Sequence, residues 1–407
     1  AGGVVDGTCA LLPVDECVGT LPTLDWSTYA GAAGAEARAS TAVDGSGNVY
    51  LVGTTTSTSG LATGGTHQFA YGGGPDDVFV LKFNPAGDRI WGTYLGGAAS
   101  DQSTGVAVDA VGRVLVVGST LSTSGIASPD GLQTTSAGGR EGFAVLLDPD
   151  GLRLWGTYLG SDGQAGDAAR AGAFAGAGDI YVAGDVEGAF PFALMTAHDD
   201  TPGGATDAYL LAFTQDGALK WGTYYGAAPA DTGRGLAVDD DLGLVYLLGH
   251  TASPTDIATP GAFDETLDGP SDGFVAAFDL AGARQWGTYL GGDGTDTGAG
   301  GAVTVGGVAF VGTTDSPGQA TPDAHQAVPG GGDDALVVQL DSDGARTWAT
   351  YYGGAGDDQG AAISVNPAGS LLLTGTTTSS DGIASAAALQ PDPLGGRDVF
   401  VAKLDPN

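Results

Sequence analysis

The chain has 407 residues and a formal net charge of −35, which comes from 48 acidic and 13 basic residues. A surface this acidic repels the phosphates of nucleic acids and anionic membrane surfaces, so neither class is an expected partner. The apolar content of 42% argues against disorder, which a high net charge would otherwise indicate. No apolar run reaches the length of a membrane span, so no membrane insertion is expected. The composition therefore indicates a folded chain that attracts cations.

The first twenty residues contain both cysteines of the chain, Cys9 and Cys17. Their short spacing predicts a local disulfide in an N-terminal appendage, residues 1–20, and such a loop would stabilise the fold by roughly 2–3 kcal/mol. A thiol pair in a cytosolic protein is the alternative. The scarcity of lysine and the abundance of threonine, serine and glycine favour export. We therefore expect an extracellular or cell-surface protein whose signal peptide has been removed.

A phrase similar to WGTYLGG recurs along the rest of the chain and contains every tryptophan. The six tryptophans are Trp26, Trp91, Trp155, Trp221, Trp286 and Trp348. Consecutive tryptophans are 62 to 66 residues apart. A nearly constant period in this range is typical of stacked or radial repeat architectures.

Each repeat contains four short β-type runs, which we name a to d in chain order. In the first repeat these runs are STAVD, NVYLVGTT, DVFVLKF and DRIWGTYLG. They are rich in Val, Tyr, Phe and Thr, and breaks that contain glycine separate them. Tight turns with Asp or Asn at the start and Gly at the end join a to b and c to d. A longer and more variable connection joins b to c.

Four antiparallel strands repeated six times predict an all-β fold, a six-bladed β-propeller. The N-terminal run TLDWSTYAG is a strand d with no a, b or c before it, and the final run DVFVAKLDPN is a strand c with no d after it. We therefore expect residues 21–407 to form the propeller, with a strand at about residues 23–30 closing blade six. The tryptophan of strand d is expected to fill the wedge between blades, and the glycine after it to let the next sheet approach.

The strings GxAVDxxGxVYLVGTT and DxFVxKFNPxGxxxWGTYLGG resemble the bacterial β-propeller repeat, often abbreviated SBBP. The resemblance runs from about Leu21 to the end of the chain and recurs six times. It implies a secreted or cell-surface protein of a family that is often joined to adhesive or anchoring modules. The third repeat departs most, because AGAFAGAGDIYVAGDVEG lacks the AVD turn and the GTT ending.

Acidic residues recur at two positions of each repeat. The first acidic set lies 14 residues before each tryptophan, at the start of strand c, and comprises Asp77, Glu141, Asp207, Asp272, Asp334 and, before the closing junction, Asp398. The second acidic set lies 10 to 12 residues after each tryptophan, before strand a, and comprises Glu36, Asp101, Asp167, Asp231, Asp296 and Asp358. All twelve are expected on one face. Either they accept backbone N–H bonds and fix their connections, or they bind Ca²⁺ through carboxylate and carbonyl oxygens.

Function is expected where the repeats differ. Arg170 and Arg234 occupy the same slot, three residues after the second acidic set, in consecutive repeats. Near the mouth of the channel they could clamp a carboxylate or sugar acid, or they could neutralise the adjacent carboxylates. Phe190 and Phe192, in the long b–c connection of the third repeat, form either an exposed apolar contact or a cover over their own blade.

The familiar catalytic motifs are absent: the sequence has no G-x-S-x-G elbow, no H-E-x-x-H and no phosphate-binding glycine loop. His67 and His325 share a slot where other repeats carry leucine, so they are expected to be structural. We expect a non-catalytic extracellular module whose loop-rich acidic face binds a protein or glycan for adhesion or assembly. The alternative is a calcium-assisted polysaccharide hydrolase or lyase. We expect that the protein requires no cofactor. Ca²⁺ is the one ion that the sequence suggests it could bind.

Overall fold

The computed structural model describes residues 25–161, 166–195, 198–385 and 388–405. Regular structure in these ranges consists of 23 β-strands. None of the described residues form a helix that is long and apolar enough to cross a membrane. Cys9, Cys17 and the predicted appendage lie outside the described residues.

The strands form six antiparallel sheets, one for each repeat, and we call these sheets blades one to six. Blade one contains β1 (Glu36–Val43), β2 (Val49–Thr55), β3 (Asp77–Phe83) and β4 (Arg89–Leu95). Blade two contains β5 (Asp101–Val108), β6 (Val114–Thr120), β7 (Glu141–Leu147) and β8 (Arg153–Leu159). Blade three contains β9 (Ala168–Phe174), β10 (Ile180–Val186), β11 (Asp207–Phe213) and β12 (Leu219–Tyr225).

The remaining blades continue the same order. Blade four contains β13 (Asp231–Asp239), β14 (Leu244–Thr251), β15 (Asp272–Asp279) and β16 (Arg284–Leu290). Blade five contains β17 (Asp296–Thr304), β18 (Gly307–Thr314), β19 (Asp334–Asp341) and β20 (Arg346–Tyr352). Blade six contains β21 (Asp358–Val365), β22 (Leu371–Thr377) and β23 (Asp398–Leu404). Strands a of successive blades contact one another from β1 to β21, as expected for strands around an axis. The predicted six-bladed β-propeller is confirmed.

The tryptophans fill the junctions between blades, as predicted. The Trp91 indole N–H of blade one donates to Pro149 O in the c–d turn of blade two, at 2.9 Å. Gly151 of that turn has a φ of +81°, and a Cβ there would come within 3.0 Å of the indole ring. Only glycine permits this turn to lie flat against the ring. The same contact joins blade two to three, three to four and four to five, through Trp155, Trp221 and Trp286.

The b–c connection covers the outer edge of its own strand d. In blade one, Thr63 N donates to Gly92 O at 2.8 Å, and Tyr94 N donates to Gln68 O at 3.0 Å. These bonds pair an edge that would otherwise expose a row of free backbone groups. The prediction for the glycine after the tryptophan was wrong, because a Cβ at Gly92 would strike Leu61 O of this connection at 2.2 Å. The glycine makes room for the connection of its own blade rather than for the next sheet.

Blade six has three strands in the described residues, and the predicted N-terminal strand is not part of its sheet. Trp26 nevertheless makes the same junction contact to blade one that Trp91 makes to blade two: its indole N–H donates to Pro85 O at 3.1 Å, and a Cβ on Gly87 would lie 2.7 Å from its ring. No described strand pairs with the outer edge of β23, and Val399 and Val401 are 79% and 75% exposed. Their counterparts in blade one, Val78 and Val80, are fully buried against blade two.

Candidate functional site

The two acidic sets meet in pairs at the junctions between blades. Asp77 begins β3 and Asp101 begins β5, and a Cβ on Gly96 would lie 2.6 Å from Asp77 Oδ1 and 2.7 Å from Asp101 Oδ2. Asp101 N also donates to Asp76 O at 2.9 Å, which brings the b–c and d–a connections together. Both sets therefore lie at the same end of the blades, as predicted. We call this end the connection face.

Carboxylates of the second set hold the d–a connection to strand b. Asp101 accepts hydrogen bonds from Gly97 N at 2.7 Å, from Ser122 Oγ at 2.8 Å and from the Thr120 hydroxyl. Asp231 is bonded in the same way to Thr251 and Ser253. Asp101 and Asp231 thus each tie two segments together with both oxygens bonded, whereas Asp296 and Asp358 of the same set each keep a buried Oδ1 without a partner in the described part of the chain. This arrangement supports the structural interpretation of the second acidic set.

Carboxylates of the first set close the b–c connection, and three of them keep an oxygen free. Asp77 Oδ2 accepts from Gly72 N, and Asp334 Oδ2 accepts from Gly330 N, both at 2.6 Å. Asp77, Asp272 and Asp334 each retain a buried Oδ1 without a hydrogen-bond partner in the described part of the chain. Burial, and then the neighbouring Asp101 and Asp76, raise the pKa of Asp77 to about 7. The pair therefore favours a bound proton or another cation.

Ten of the twelve carboxylates are buried, and only Glu36 and Asp398 are partly exposed. Most of their oxygens accept hydrogen bonds, and no group of three or more His, Cys, Asp or Glu side chains within the described ranges is arranged to hold a metal ion. Ca²⁺ takes six to eight oxygen ligands, more than one pair supplies through free side-chain oxygens. Calcium binding stays a prediction.

Every strand a has a β-bulge three residues after the second acidic set. In β9 the register shifts between the pairs Ala171–Ala183 and Ala169–Gly184, which leaves Arg170 without a cross-strand partner. In β13 the shift leaves Arg234 unpaired in the same way. Bulges turn a side chain out of the regular pattern of a ladder and often lie next to functional sites. The arginine slot singled out in the sequence is this bulge.

The guanidinium of Arg170 forms an ion pair with Asp185 on strand b of its own blade. Arg170 Nε lies 2.6 Å from Asp185 Oδ1, and its terminal nitrogen Nη2 lies 3.0 Å from Oδ2. Asp185 occupies the slot where blade one carries Thr54, and blade four carries His250 in that slot. Arg170 therefore does not neutralise the adjacent second-set carboxylate, Asp167, which was one of the two predicted roles.

Arg234 has no hydrogen bond or ion pair to any described residue. Burial, and then the neighbouring Arg170, lower the pKa of Arg234. Close to it, Thr232 Oγ1 lies 3.0 Å from His250 Nε2, and burial and then Arg234 lower the pKa of His250. Two guanidinium groups, one carboxylate and one imidazole thus meet where blades three and four adjoin. We call these four residues, Arg170, Asp185, Arg234 and His250, the polar cluster.

Phe190, one of the two phenylalanines considered as an exposed apolar contact, is buried. Its ring stacks on Phe192 with centroids 4.8 Å apart and on Tyr224 at 5.6 Å. Phe190 N also donates to the Tyr224 hydroxyl at 2.7 Å. The connection of blade three therefore folds over its own blade, which was the second of the two interpretations. Met195 remains exposed in the same connection.

Asp185 and His250 were not recognised as members of a site from the sequence. The signal was present, since GDV and GHT replace the usual GTT at the end of strand b in the same two repeats that carry the arginines. The bulge slot of strand a and the slot at the end of strand b lie side by side because of the register between these two strands. An alignment of the repeats does not reveal that register.

Comparisons with known proteins support the repeat. Residues 90–125 match the model of a family described as beta-propeller repeat, SBBP. Regulatory protein FlaEY of Caulobacter vibrioides is 26% identical over 356 residues, which are 82% of this chain and 35% of that relative. The chain thus spans about a third of the length of this curated relative.

Two solved structures align with most of the chain at low TM-scores. A protein of unknown function from Dyadobacter fermentans is 13% identical, with a TM-score of 0.41, and the match covers 91% of this chain and 95% of that one. A gluconolactonase from Xanthomonas campestris is 15% identical, with a TM-score of 0.33, and the match covers 80% and 86%. The six sheets of this chain show the fold, and the family match covers residues 90–125. The chain is a six-bladed β-propeller, and its residues 90–125 match the repeat of the family described as beta-propeller repeat, SBBP.

Proposed function

We propose that the protein is a non-catalytic module outside the cell or at its surface, which binds a protein or glycan through the connection face. The observation that carries this proposal is the use of the repeated carboxylates. Asp101, Asp231 and their equivalents are occupied in holding connections, so they form a rigid scaffold. Variable loops on a rigid scaffold are the usual place for binding residues.

Exposed acidic residues give this face its chemical character. Asp268 and Asp293 are exposed in neighbouring connections, and a Cβ on Gly269 would lie 1.9 Å from Gly294 O, so the two connections touch. Asp357 is exposed on the next d–a connection. A face of this kind suits a partner with basic or hydroxyl groups, and electrostatic attraction would speed the encounter.

Charge reversal tests which face binds. Labelled protein is added to cells of the source organism that lack the gene, and saturable binding is measured. The variant Asp268→Lys, Asp293→Lys, Asp357→Lys is expected to lose most of the binding. The matched control Asp150→Lys, Asp216→Lys, Asp343→Lys changes the same number of exposed charges in the c–d turns at the opposite end, and it is expected to bind like the unmodified protein.

Equal loss in both variants would contradict a role for the connection face. Incubation with acidic and neutral polysaccharides, with and without Ca²⁺, addresses the alternative function. Release of new reducing ends or unsaturated products would overturn the non-catalytic proposal and favour a hydrolase or lyase.

A further inference from the structure

The polar cluster is the place where the sixfold repeat changes its chemistry. The bulge slot carries Ala39, Thr104, Arg170, Arg234, Ala299 and Ala361 in blades one to six. The slot at the end of strand b carries Thr54, Ser119, Asp185, His250, Thr313 and Thr376. Ionisable residues occupy both slots in blades three and four and neither slot in the others. Scaffold requirements are common to all six blades, so they do not explain these four residues.

The charges of the polar cluster do not balance. Asp185 has a side-chain exposure of 4% and is already paired in bidentate fashion with Arg170. No second carboxylate of the described chain pairs with Arg234, although the protein has a large excess of acidic residues. A partly buried guanidinium without an anion is unfavourable, because it loses hydration and gains no compensating bond. The arrangement therefore leaves a place for an anion that the protein does not supply.

The cluster reaches solvent in part, because the Arg170 side chain is 29% exposed and Arg234 is partly exposed. Arg170 and Arg234 lie near the start of their strands, close to the connection face, and strands a of successive blades line the axis. Each arginine is the unpaired residue of a bulge, so its side chain is not held in the regular alternation of the strand. Blades three and four also approach closely here, since a Cβ on Gly233 would lie 2.8 Å from Gly184 O.

We propose that Arg234, beside the Arg170–Asp185 ion pair, binds the carboxylate group of a ligand that carries a single negative charge. A free guanidinium offers two parallel N–H donors that match the two oxygens of one carboxylate. The net charge of −35 disfavours ligands with additional negative charges. A phosphate group carries between one and two charges at neutral pH and is disfavoured for the same reason. Thr232 and His250 lie beside Arg234 and offer polar atoms to the rest of the ligand.

This site goes beyond the binding function of the connection face, and either proposal can fail without the other. Calorimetric titration with galacturonate, galactose and inorganic phosphate tests the ligand class. Galacturonate and galactose have the same ring, and only the former carries a carboxylate. We expect galacturonate to bind, and galactose and phosphate to bind at least about tenfold more weakly, the ratio that one charge-assisted hydrogen bond supplies.

Two variants separate binding from folding. Arg234→Gln is expected to weaken galacturonate binding about tenfold or more and to fold with at least the original melting temperature, because the lost guanidinium has no partner. Asp185→Asn frees Arg170 and is expected to strengthen binding, an effect that a purely structural role would not produce. Arg89→Gln, an exposed arginine on strand d of blade one, is the charge-matched control and is expected to leave the affinity unchanged.

Equal affinity for galacturonate and galactose, or tighter binding of phosphate, would overturn the proposed ligand class. Unchanged affinity in Arg234→Gln, with the protein folded, would overturn the site itself. Absence of galacturonate binding to the unmodified protein would have the same consequence.

Discussion

Four tryptophans of strand d, Trp91, Trp155, Trp221 and Trp286, each act twice at a blade junction. The ring covers the glycine of the next c–d turn, and its N–H satisfies a carbonyl of that turn, as for Trp155 with Gly217 and Gln215. The indole thus contributes both apolar burial and one directional bond. Glycine in the turn and tryptophan on the strand are required together, which explains why the chain repeats both.

Removal of Trp155 should open one junction. Trp155→Ala is expected to lower the free energy of unfolding by about 3–5 kcal/mol, as for other large-to-small changes in a core. Trp348→Ala is the matched control, because Trp348 is half-buried and its indole N–H has no hydrogen bond among the described residues. Urea denaturation of the two variants measures the difference. A smaller loss in Trp155→Ala than in Trp348→Ala would contradict the assigned role.

His67 should make the stability depend on pH. Burial, and then Arg153, lower the pKa of His67 to about 4, below the value of about 6.5 in the unfolded chain. Between pH 4 and pH 6.5 the folded protein therefore binds fewer protons at His67 than the unfolded chain does. The stability that neutral His67 contributes is fully present above pH 6.5 and is lost as the pH falls toward 4. In blade two, Leu132 occupies this slot.

The variant His67→Leu copies blade two and removes the titration. We expect it to raise the melting temperature more at pH 5 than at pH 7.5, where the imidazole is neutral in both states. Thermal melting at the two pH values measures this difference. An equal effect at both would show that the protonation of His67 does not influence folding.

At the scale of the elements, blade six has three strands among the described residues, and its exposed apolar residues indicate where a fourth strand would pack. Leu389 occupies the slot of Leu132, which packs over strand d in blade two, and Leu389 is fully exposed. Tyr29 is fully exposed, whereas its counterpart Tyr94 is buried. Among the described residues, the outer edge of β23 thus has no partner strand, and residues 25–30 have the sequence of a strand d but pair with no strand. The N-terminal strand predicted from the sequence would satisfy both.

A disulfide tests this closure. Pairing of Val78 with Leu95 in blade one implies that Val399 would face Ala30. With Cys9 and Cys17 replaced by serine, Val399→Cys with Ala30→Cys is expected to form an intramolecular disulfide, detected by the loss of free thiols. Val399→Cys with Tyr29→Cys places the thiols on opposite faces and is the control. A covalent dimer instead would mean that a second copy supplies the strand.

The sequence was sufficient for the blades because their signals are local and repeated. Turn residues and alternating apolar residues indicate the strands, and the spacing of the tryptophans gives the number of blades. The sequence was insufficient where a contact depends on the register between neighbouring strands. The bulge at Arg234, the pairing of Arg170 with Asp185 and the burial of Phe190 each depend on how neighbouring segments are aligned. None of these alignments leaves a pattern in a single strand.

At the scale of the whole molecule, self-repulsion is the dominant electrostatic effect. With a net charge of −35, the compact state concentrates like charges that the unfolded chain separates. Screening at about 0.5 M salt, where the Debye length is well under 10 Å, should therefore raise the melting temperature relative to low salt. Thermal melting in NaCl measures this effect, and a falling melting temperature would contradict it.

Calcium at matched ionic strength separates specific binding from screening. Specific sites in the acidic pairs would raise the melting temperature above that in NaCl, and saturation at about 100 times the dissociation constant would add about 2.7 kcal/mol. Asp334→Asn, which alters one carboxylate with a free buried oxygen, would then reduce the gain. Identical melting in CaCl₂ and in NaCl of equal ionic strength would contradict the calcium prediction.

The bulge in each strand a has an evolutionary consequence. Since its residue has no partner across the ladder, a mutation there leaves the hydrogen bonds of the sheet intact. Six such positions surround one axis, and each can be exchanged independently of the others. Selection could therefore alter the side chains around this axis by single substitutions, without rebuilding a loop or losing the scaffold.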